Sequence, residues 1–587
     1  MFQNLPMKKL FPVLLCCMLI STVFQIQAQQ EPLLPKGLSE TEKGLVADFQ
    51  FKSTQITPPP SVPVRTAAEW EEIEYLVIRW TNQFENILLQ IVQAAVEECK
   101  VLITTQNQGT VSSFLNSNGV DMSQVEFLDA PSNTIWIRDY AGNTIYENDV
   151  EDRALVDWIY NRPRPLDNAM PVAHANYVGI PIYRTNSGTN DLVNTGGNFM
   201  SDGMGTAFAS KLILEENEPG NPYGVTPKTE AEIDDIMFNY QGITRYIKMD
   251  QTPWDPIDHI DMHMKLLDEE TILVSRYPTG VADGPQIEAN IDYVTSTFQS
   301  PFGTDYKIEW IDAPPSTGGN HPDTGGFYRT YTNSVFVNGT VIVPTYRPEV
   351  DGPALAQYEE LLPGYTIVGI DVDNPGENLI SQSGAIHCIT HAIGVADPLW
   401  IVHQPIEESN TTVGIPVDAM IKHNTGINEA TVFWRETGDT NFQETAMTFD
   451  NDDIWVSELN VPSNATSIEY YIWAEANTGK TLTRPLVAPE GFWTFEITSL
   501  SAGEWAENNI VGPYPNPASN EVSFNLNNIL GEINISIHNV LGQQLYENTI
   551  ENGNGKITIN LNPNWKGTLF VTFSGAFGSV HKKVVVK

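Results

Sequence analysis

The chain has 587 residues, enough for several domains, and 73 acidic against 31 basic residues give it a net charge of −42. A surface this acidic excludes nucleic acid as a partner, because phosphate recognition needs clustered Lys and Arg, and it favours cationic ligands. Thirteen tryptophans and 10% aromatic residues argue for packed cores rather than disorder.

The N-terminus has the pattern of an export signal. Lys8 and Lys9 precede an apolar run, Leu10–Val23, shorter than the ~20 residues of a membrane span, and Ile26-Gln27-Ala28 ends on a small residue. Residues 1–28 are therefore read as a signal peptide. A lipid anchor on Cys16 or Cys17 is disfavoured by the large Leu15 before them, and no other apolar run is long enough to be a transmembrane segment. Residues 29–64 are polar, contain Pro58-Pro59-Pro60, and read as a pro-segment or N-terminal arm.

From 65 to 405 short β-branched runs alternate with helical patterns, the signature of an α/β domain. Ile87–Cys99 has helical spacing, and Val101–Thr104 then reads as a strand. Asn338-Gly339 between Val335–Val337 and Val341–Val343 predicts a hairpin. Gly196-Gly197-Asn198 and Gly318-Gly319-Asn320 hint at an internal repeat. Residues 406–500 turn all-β, with strands expected at Thr431–Trp434 and Ser467–Trp473, in a length that suits an immunoglobulin-like β-sandwich. A linker at 501–512 leads to a third pattern over 513–587. There Val522, Phe524, Leu526 and Ile533, Ile535, Ile537 alternate as in half-buried strands.

Only Cys99 and Cys388 remain once the signal is removed, so the cysteines form no disulfide framework. Cys388, in Ser383-Gly384-Ala385-Ile386-His387-Cys388, is a candidate nucleophile, the alternative being an inert buried thiol. Three more polar clusters stand out: Trp136-Ile137-Arg138-Asp139-Tyr140, His259-Ile260-Asp261-Met262-His263 and Tyr331-Thr332-Asn333. Each has a structural reading as an ion pair or a solvated face. On a strand His259 and Asp261 would share a side. Metal ligation by His259, Asp261 and His263 is disfavoured by their spacing. Together, a thiol, a histidine and two carboxylates make a chemical set. Thiolates attack carbon, histidine passes protons to leaving amines, and paired carboxylates suit a planar, cationic guanidinium.

These motifs, with Gly196-Gly197-Asn198, Asp202–Thr206 and His387–Thr390, resemble the Porphyromonas-type peptidylarginine deiminases and the related agmatine deiminases of the pentein superfold. The resemblance implies a five-bladed α/β propeller over 65–405 with no cofactor and no metal in the chemistry. It implies that Cys388 attacks the guanidinium carbon, that Asp139 and Asp261 clamp its nitrogens and that His259 is the general acid and base. It also implies that Asn333 positions the thiol and that Trp136 packs on the substrate stem. Tyr160-Asn161-Arg162-Pro163-Arg164-Pro165 matches a loop that holds a C-terminal carboxylate, so Arg162 and Arg164 are expected to favour arginine-containing peptides over agmatine. Pro256, three residues before His259, stands where the family has tyrosine. Residues 513–587, with Tyr514-Pro515-Asn516-Pro517, resemble the sorting domain read by the type IX secretion machinery. The expectation is a secreted or surface-attached monomer. The alternatives are a deiminase of agmatine or free arginine, and a non-catalytic secreted binding protein.

Overall fold

The computed structural model describes residues 34–52, 57–498 and 509–587. The predicted signal peptide, with Cys16 and Cys17, lies outside the described residues, as does most of the predicted linker.

Residues 64–394 build five principal sheets, each on the same plan: an antiparallel pair, a crossover helix, then a parallel strand. In the first unit Ile73–Arg79 runs through the helix Glu85–Ala95 to the parallel strand Lys100–Thr104. Its antiparallel partner is Thr390–Gly394, so the two ends of this region meet in one sheet. The second unit pairs Asn143–Glu147 with Arg153–Tyr160 and crosses by Met170–Val178 to Ile182–Thr185. The third pairs Met200–Ser201 with Thr206–Ser210 and crosses by Glu230–Gln241 to Arg245–Met249. The fourth and fifth repeat the plan with the helices Gly284–Thr297 and Pro348–Leu361.

Local sequence explains these elements. Leu76, Val77 and Ile78 are all buried, the continuous apolar run of a strand covered on both faces. Ile87, Leu88, Ile91, Val92 and Ala95 give the first helix one buried face. The helix Glu230–Gln241 opens on a reciprocal Thr229–Glu232 capping box and closes on Gly242 at φ 69°. The Asn338-Gly339 hairpin forms with Asn338 at φ 49°, and its side-chain oxygen accepts from the Ile73 N–H at 2.8 Å, tying the fifth unit to the first.

Each unit is entered through a short turn just before its first strand. These turns are Ile137–Tyr140, Gly196–Asn198, Ile260–Met262, the bend Tyr331–Asn333, and His387–Ile389. His259-Ile260-Asp261 is thus not strand but a 3₁₀ turn with His259 at its N-cap. The second Gly-Gly-Asn, 318–320, is exposed and lies in none of these turns.

Two β-sheets follow. Trp400–Val402 already pairs with Ile415–Lys422, a few residues ahead of the expected boundary at 406. Ile427–Glu436 pairs with Ser467–Ala476, and the two sheets share one core that includes Val417, Ile421, Val432, Ile472 and Phe495. This region docks on the α/β units through Arg65 stacked 3.8 Å from the Trp400 ring and ion pairs Lys480–Glu72 and Arg484–Glu269. Residues 510–586 form a separate five-stranded antiparallel sheet with its own core. Among the described residues no helix is long and apolar enough to cross a membrane.

Candidate active site

The five turns bring together residues that the sequence scatters over some 250 positions. The turn His387–Ile389 places Cys388 fully buried. Its Sγ lies 3.3 Å from Asn333 Oδ1 and 3.6 Å from Asp261 Oδ2, and Asn333 donates to the Asp261 carbonyl at 3.2 Å. Asp139, from the turn Ile137–Tyr140, lies 3.6 Å from His259 Nδ1. So Cys388, Asn333, Asp139, Asp261 and His259 occupy one buried centre. Close approach requires glycine at two points: a Cβ on Gly197 would stand 2.3 Å from His259 Nδ1, and one on Gly384 would stand 2.5 Å from the Trp136 ring.

Sequence reasoning gave no role to a second layer. His387 bridges two carboxylates, with Nδ1 2.8 Å from Asp261 Oδ2 and Nε2 2.6 Å from Glu69 Oε1. Glu69 also pairs with Arg138 at 2.9 Å and with Lys265. Burial opposes charge on Glu69, but His387, Lys265 and Arg138 overcome it and hold the carboxyl well below its ordinary range. His387 was legible only as the neighbour of Cys388. Glu69 and Lys265 carry no local sequence signal.

A further residue enters from the N-terminal arm. Lys36 is completely buried, and its ammonium donates to Cys388 Sγ at 2.7 Å while facing Asp139 Oδ1 at 3.9 Å and Asp261 Oδ1 at 3.8 Å. Neither of those two carboxylate oxygens has a hydrogen-bond partner among the described residues, and neither does either ring nitrogen of His259. The arm's backbone is gripped as well. Trp136 Nε1–H donates to the Leu34 carbonyl at 3.0 Å, and Arg162 Nε donates to the Lys36 carbonyl at 3.2 Å. Arg164 Nη2 donates to the carbonyls of Pro35 at 2.7 Å and Gly37 at 3.0 Å, and Arg164 Nε to Glu42 at 2.7 Å. Arg162 and Arg164 thus border the same site as the turns, buried against peptide backbone.

The electrostatics follow from this packing. Burial opposes the Lys36 charge, but Asp139, Asp261 and Cys388 outweigh it and keep the ammonium protonated. Burial also works against the Asp261 carboxylate, and Lys36 and His387 more than compensate, holding it below its usual range. Asp139 is raised, chiefly by burial and then by Asp261, against the pull of Lys36. Burial, with Lys36 beside it, holds the His259 ring well below its ordinary value and so neutral. The Cys388 thiol is pushed up to about 12 by burial and the two carboxylates, with Lys36 pulling the other way. His263 turns elsewhere, with Nε2 3.1 Å from Asp255, so it does not join His259 and Asp261 as a ligand set. Among the described residues no three His, Cys, Asp or Glu side chains are grouped to hold a metal ion.

The Porphyromonas-type peptidyl-arginine deiminase family matches residues 65–393, more than half of the chain. The chain belongs to this family. A secretion-system C-terminal sorting domain matches residues 513–587. This family member is thus a hydrolase of the group acting on guanidino C–N bonds, exported by the type IX route to the cell surface or beyond. It is 24% identical over 365 residues to a Yersinia pseudotuberculosis protein named as an agmatine deiminase, across 56% of this chain and 95% of that one. An X-ray structure of an agmatine deiminase-type protein shares the fold of the α/β region. Its TM-score is 0.50 at 20% identity, over 59% of this chain and 99% of the other. The Enterococcus faecalis agmatine deiminase gives a TM-score of 0.48 at 18% identity, over 58% and 99% of the two chains.

Proposed function

We propose that this enzyme hydrolyses the guanidinium of peptidyl-arginine, preferring a C-terminal arginine, to peptidyl-citrulline and ammonia. The observation that carries the reading is the fit of Lys36. In arginine the guanidinium carbon Cζ takes the same place along the side chain as Nζ in lysine. An arginine seated like Lys36 would therefore put its electrophilic carbon where the ammonium now meets Cys388 Sγ at 2.7 Å. Its two terminal nitrogens would extend about 1.3 Å further, toward the Asp139 and Asp261 oxygens that lysine leaves 3.9 and 3.8 Å away. The slot is one group deeper than lysine needs.

In this reading the substrate's positive charge stabilises the Cys388 thiolate against the burial that favours the neutral thiol, and the thiol's proton passes to the neutral His259. Sγ bonds to Cζ, His259 delivers a proton to the departing nitrogen, and ammonia leaves from a covalent thiouronium. Water, deprotonated by His259, then adds to that carbon. The C–S bond breaks, releasing the ureido group of citrulline and restoring the thiol. Asp139 and Asp261 clamp the guanidinium throughout, Asn333 holds Sγ by its 3.3 Å contact, and Trp136 lines the stem.

Peptide specificity is supported by Arg162 and Arg164, which already grip three peptide carbonyls and one carboxylate at the mouth. A C-terminal carboxylate offers two anionic oxygens where Lys36 offers one neutral carbonyl. We read the five ββαβ units as the blades of a pentein propeller and the two-sheet region as an immunoglobulin-like sandwich. Residues 1–28 are then the signal, 29–64 the pro-segment, and 501–512 the linker to the sorting domain. The agmatine reading rests on the similarity to proteins carrying that name.

The direct test is Lys36→Arg in the full chain. Arginine at position 36 should become citrulline in place, seen by mass spectrometry of the N-terminal peptide, and not when combined with Cys388→Ala. Unchanged arginine would count against the site assignment. Rates on agmatine, arginine and arginyl peptides, compared in the Lys36→Ala chain, decide the substrate.

A further inference from the structure

The residues that enter the site as Lys36 belong to an arm with its own reasons to fold. Ser39 and Glu42 form a capping box at the start of the helix Glu40–Leu45. Val46 and Phe51 pack with Ile159, Val193, Tyr223 and Val225 in a small core of their own. Lys52 and Lys228 both pair with the buried Asp191. Between these anchors and the centre, the carbonyls of Leu34, Pro35, Lys36 and Gly37 are each bound by a site side chain, and the Lys36 N–H donates to the Gln382 carbonyl at 3.3 Å. The segment thus lies in the site as a peptide ligand does, with its cationic side chain against the nucleophile.

We infer that residues 34–52 keep this enzyme latent, Lys36 standing in for the arginine of a substrate, and that activity requires the arm to leave the site. Lysine is suited to this. Its ammonium satisfies the charge of the centre, yet it has no carbon bonded to three nitrogens for a thiolate to attack and no C–N bond that such attack would break. The arm is therefore bound without being consumed. While it is seated, Cys388 is covered completely, Arg162 is occupied by the Lys36 carbonyl and Arg164 by Glu42. A competing peptide must displace the ammonium, the backbone grip and the Glu42–Arg164 ion pair together. Latency of this kind would keep an arginine-modifying enzyme from acting on the cell's own proteins before export.

The inference rests on the reading of Cys388 as the reacting thiol, but its test does not use turnover. The full chain, its N-terminus verified by intact mass, is treated with a small thiol-alkylating reagent, and label is mapped to Cys388 and Cys99. Cys99 is also buried, with its thiol pushed up to about 12 by burial, and packs in a different apolar cluster from the arm's Val46 and Phe51, so it serves as an internal control. Cys388 should resist labelling in the unaltered chain. It should label about tenfold faster or more in Lys36→Ala, which empties the slot. The same direction is expected in Glu42→Ala, which loosens the arm at Arg164 without touching the centre. Labelling of Cys99 should be the same in all three. Equal Cys388 labelling in the unaltered chain and both variants overturns the inference, and so does a rise that Cys99 shares, which would mark general loosening. If Cys388 is unmasked as expected and no arginyl or agmatine substrate is turned over, latency stands and the deiminase reading falls.

Discussion

In the C-terminal sheet, Val522, Phe524, Leu526, Ile533, Ile535 and Ile537 are buried. In the turns of the α/β region, the buried groups are Asp139, His259, Asp261, Asn333 and Cys388. The first set gains stability from burial, roughly 1.5–3 kcal/mol per large apolar side chain. The second is costly to bury, and charge there is tolerated because an opposite charge stands close, Lys36 beside Asp261 above all. The contrast teaches where stability and chemistry are kept in this chain. A module that must only fold follows alternation, while the site holds Asp139 Oδ1, Asp261 Oδ1 and both His259 ring nitrogens without a hydrogen-bond partner among the described residues.

The contrast can be broken at its centre first. Cys388→Ala, measured in the Lys36→Ala background, should cut turnover by on the order of 10⁴-fold. Its melting temperature should stay close to that of the parent. Activity within tenfold of the parent would remove the nucleophile. At the mouth, in the same Lys36→Ala background, Arg162→Ala with Arg164→Ala should raise KM for peptides ending in arginine by about tenfold or more, each charged contact being worth roughly 1.5–3 kcal/mol. The same double variant should leave KM for agmatine little changed. Equal effects on both substrates would assign the pair to holding the arm rather than a peptide terminus.

In the sorting sheet, Phe524→Ala should destabilise that domain by about 3–5 kcal/mol and reduce export. The specific activity of whatever enzyme is recovered should not move; a fall in activity would show that the two regions are energetically coupled. The smallest effect concerns pH. Burial and Lys36 keep His259 neutral in the folded chain, whereas an unfolded histidine gains a proton near pH 6.5. The folded pKa is depressed, so this contribution to stability is complete above about pH 6.5 and is lost as pH falls toward the lowered folded value. Thermal melts from pH 7.5 to 5 should therefore lose stability less steeply in His259→Gln than in the parent. Parallel curves would contradict a buried neutral ring.

Much of the fold was legible because it rests on local rules. The helix read from Ile87–Cys99 forms as Glu85–Ala95, four residues shorter at its end, and the Asn338-Gly339 hairpin and the alternation in 522–537 appear where spacing places them. The five-fold plan of the α/β region was expected only through the family resemblance and left no repeat in the residues themselves. Each unit repeats an arrangement of strands, not a string of residues, and one of the two Gly-Gly-Asn segments that hinted at repetition lies outside the site turns. For the site, residue types in sequence clusters pointed to the thiol, the histidine and both carboxylates. The shared side that His259 and Asp261 would have on a strand is not how they meet: the chain makes a 3₁₀ turn there and reaches the centre by another route.

From the sequence alone came the family, the export route and the chemical set of Cys388, His259, Asp139 and Asp261, because motifs are contiguous and the reaction constrains the residue types it can use. Tertiary structure alone decided that Lys36, 352 positions from Cys388, brings its ammonium against Sγ. It also decided that Glu69 and His387 steady Asp261. Electrostatic partners are chosen by distance in space, and the loops that bring these groups within 4 Å leave no periodic trace along the chain.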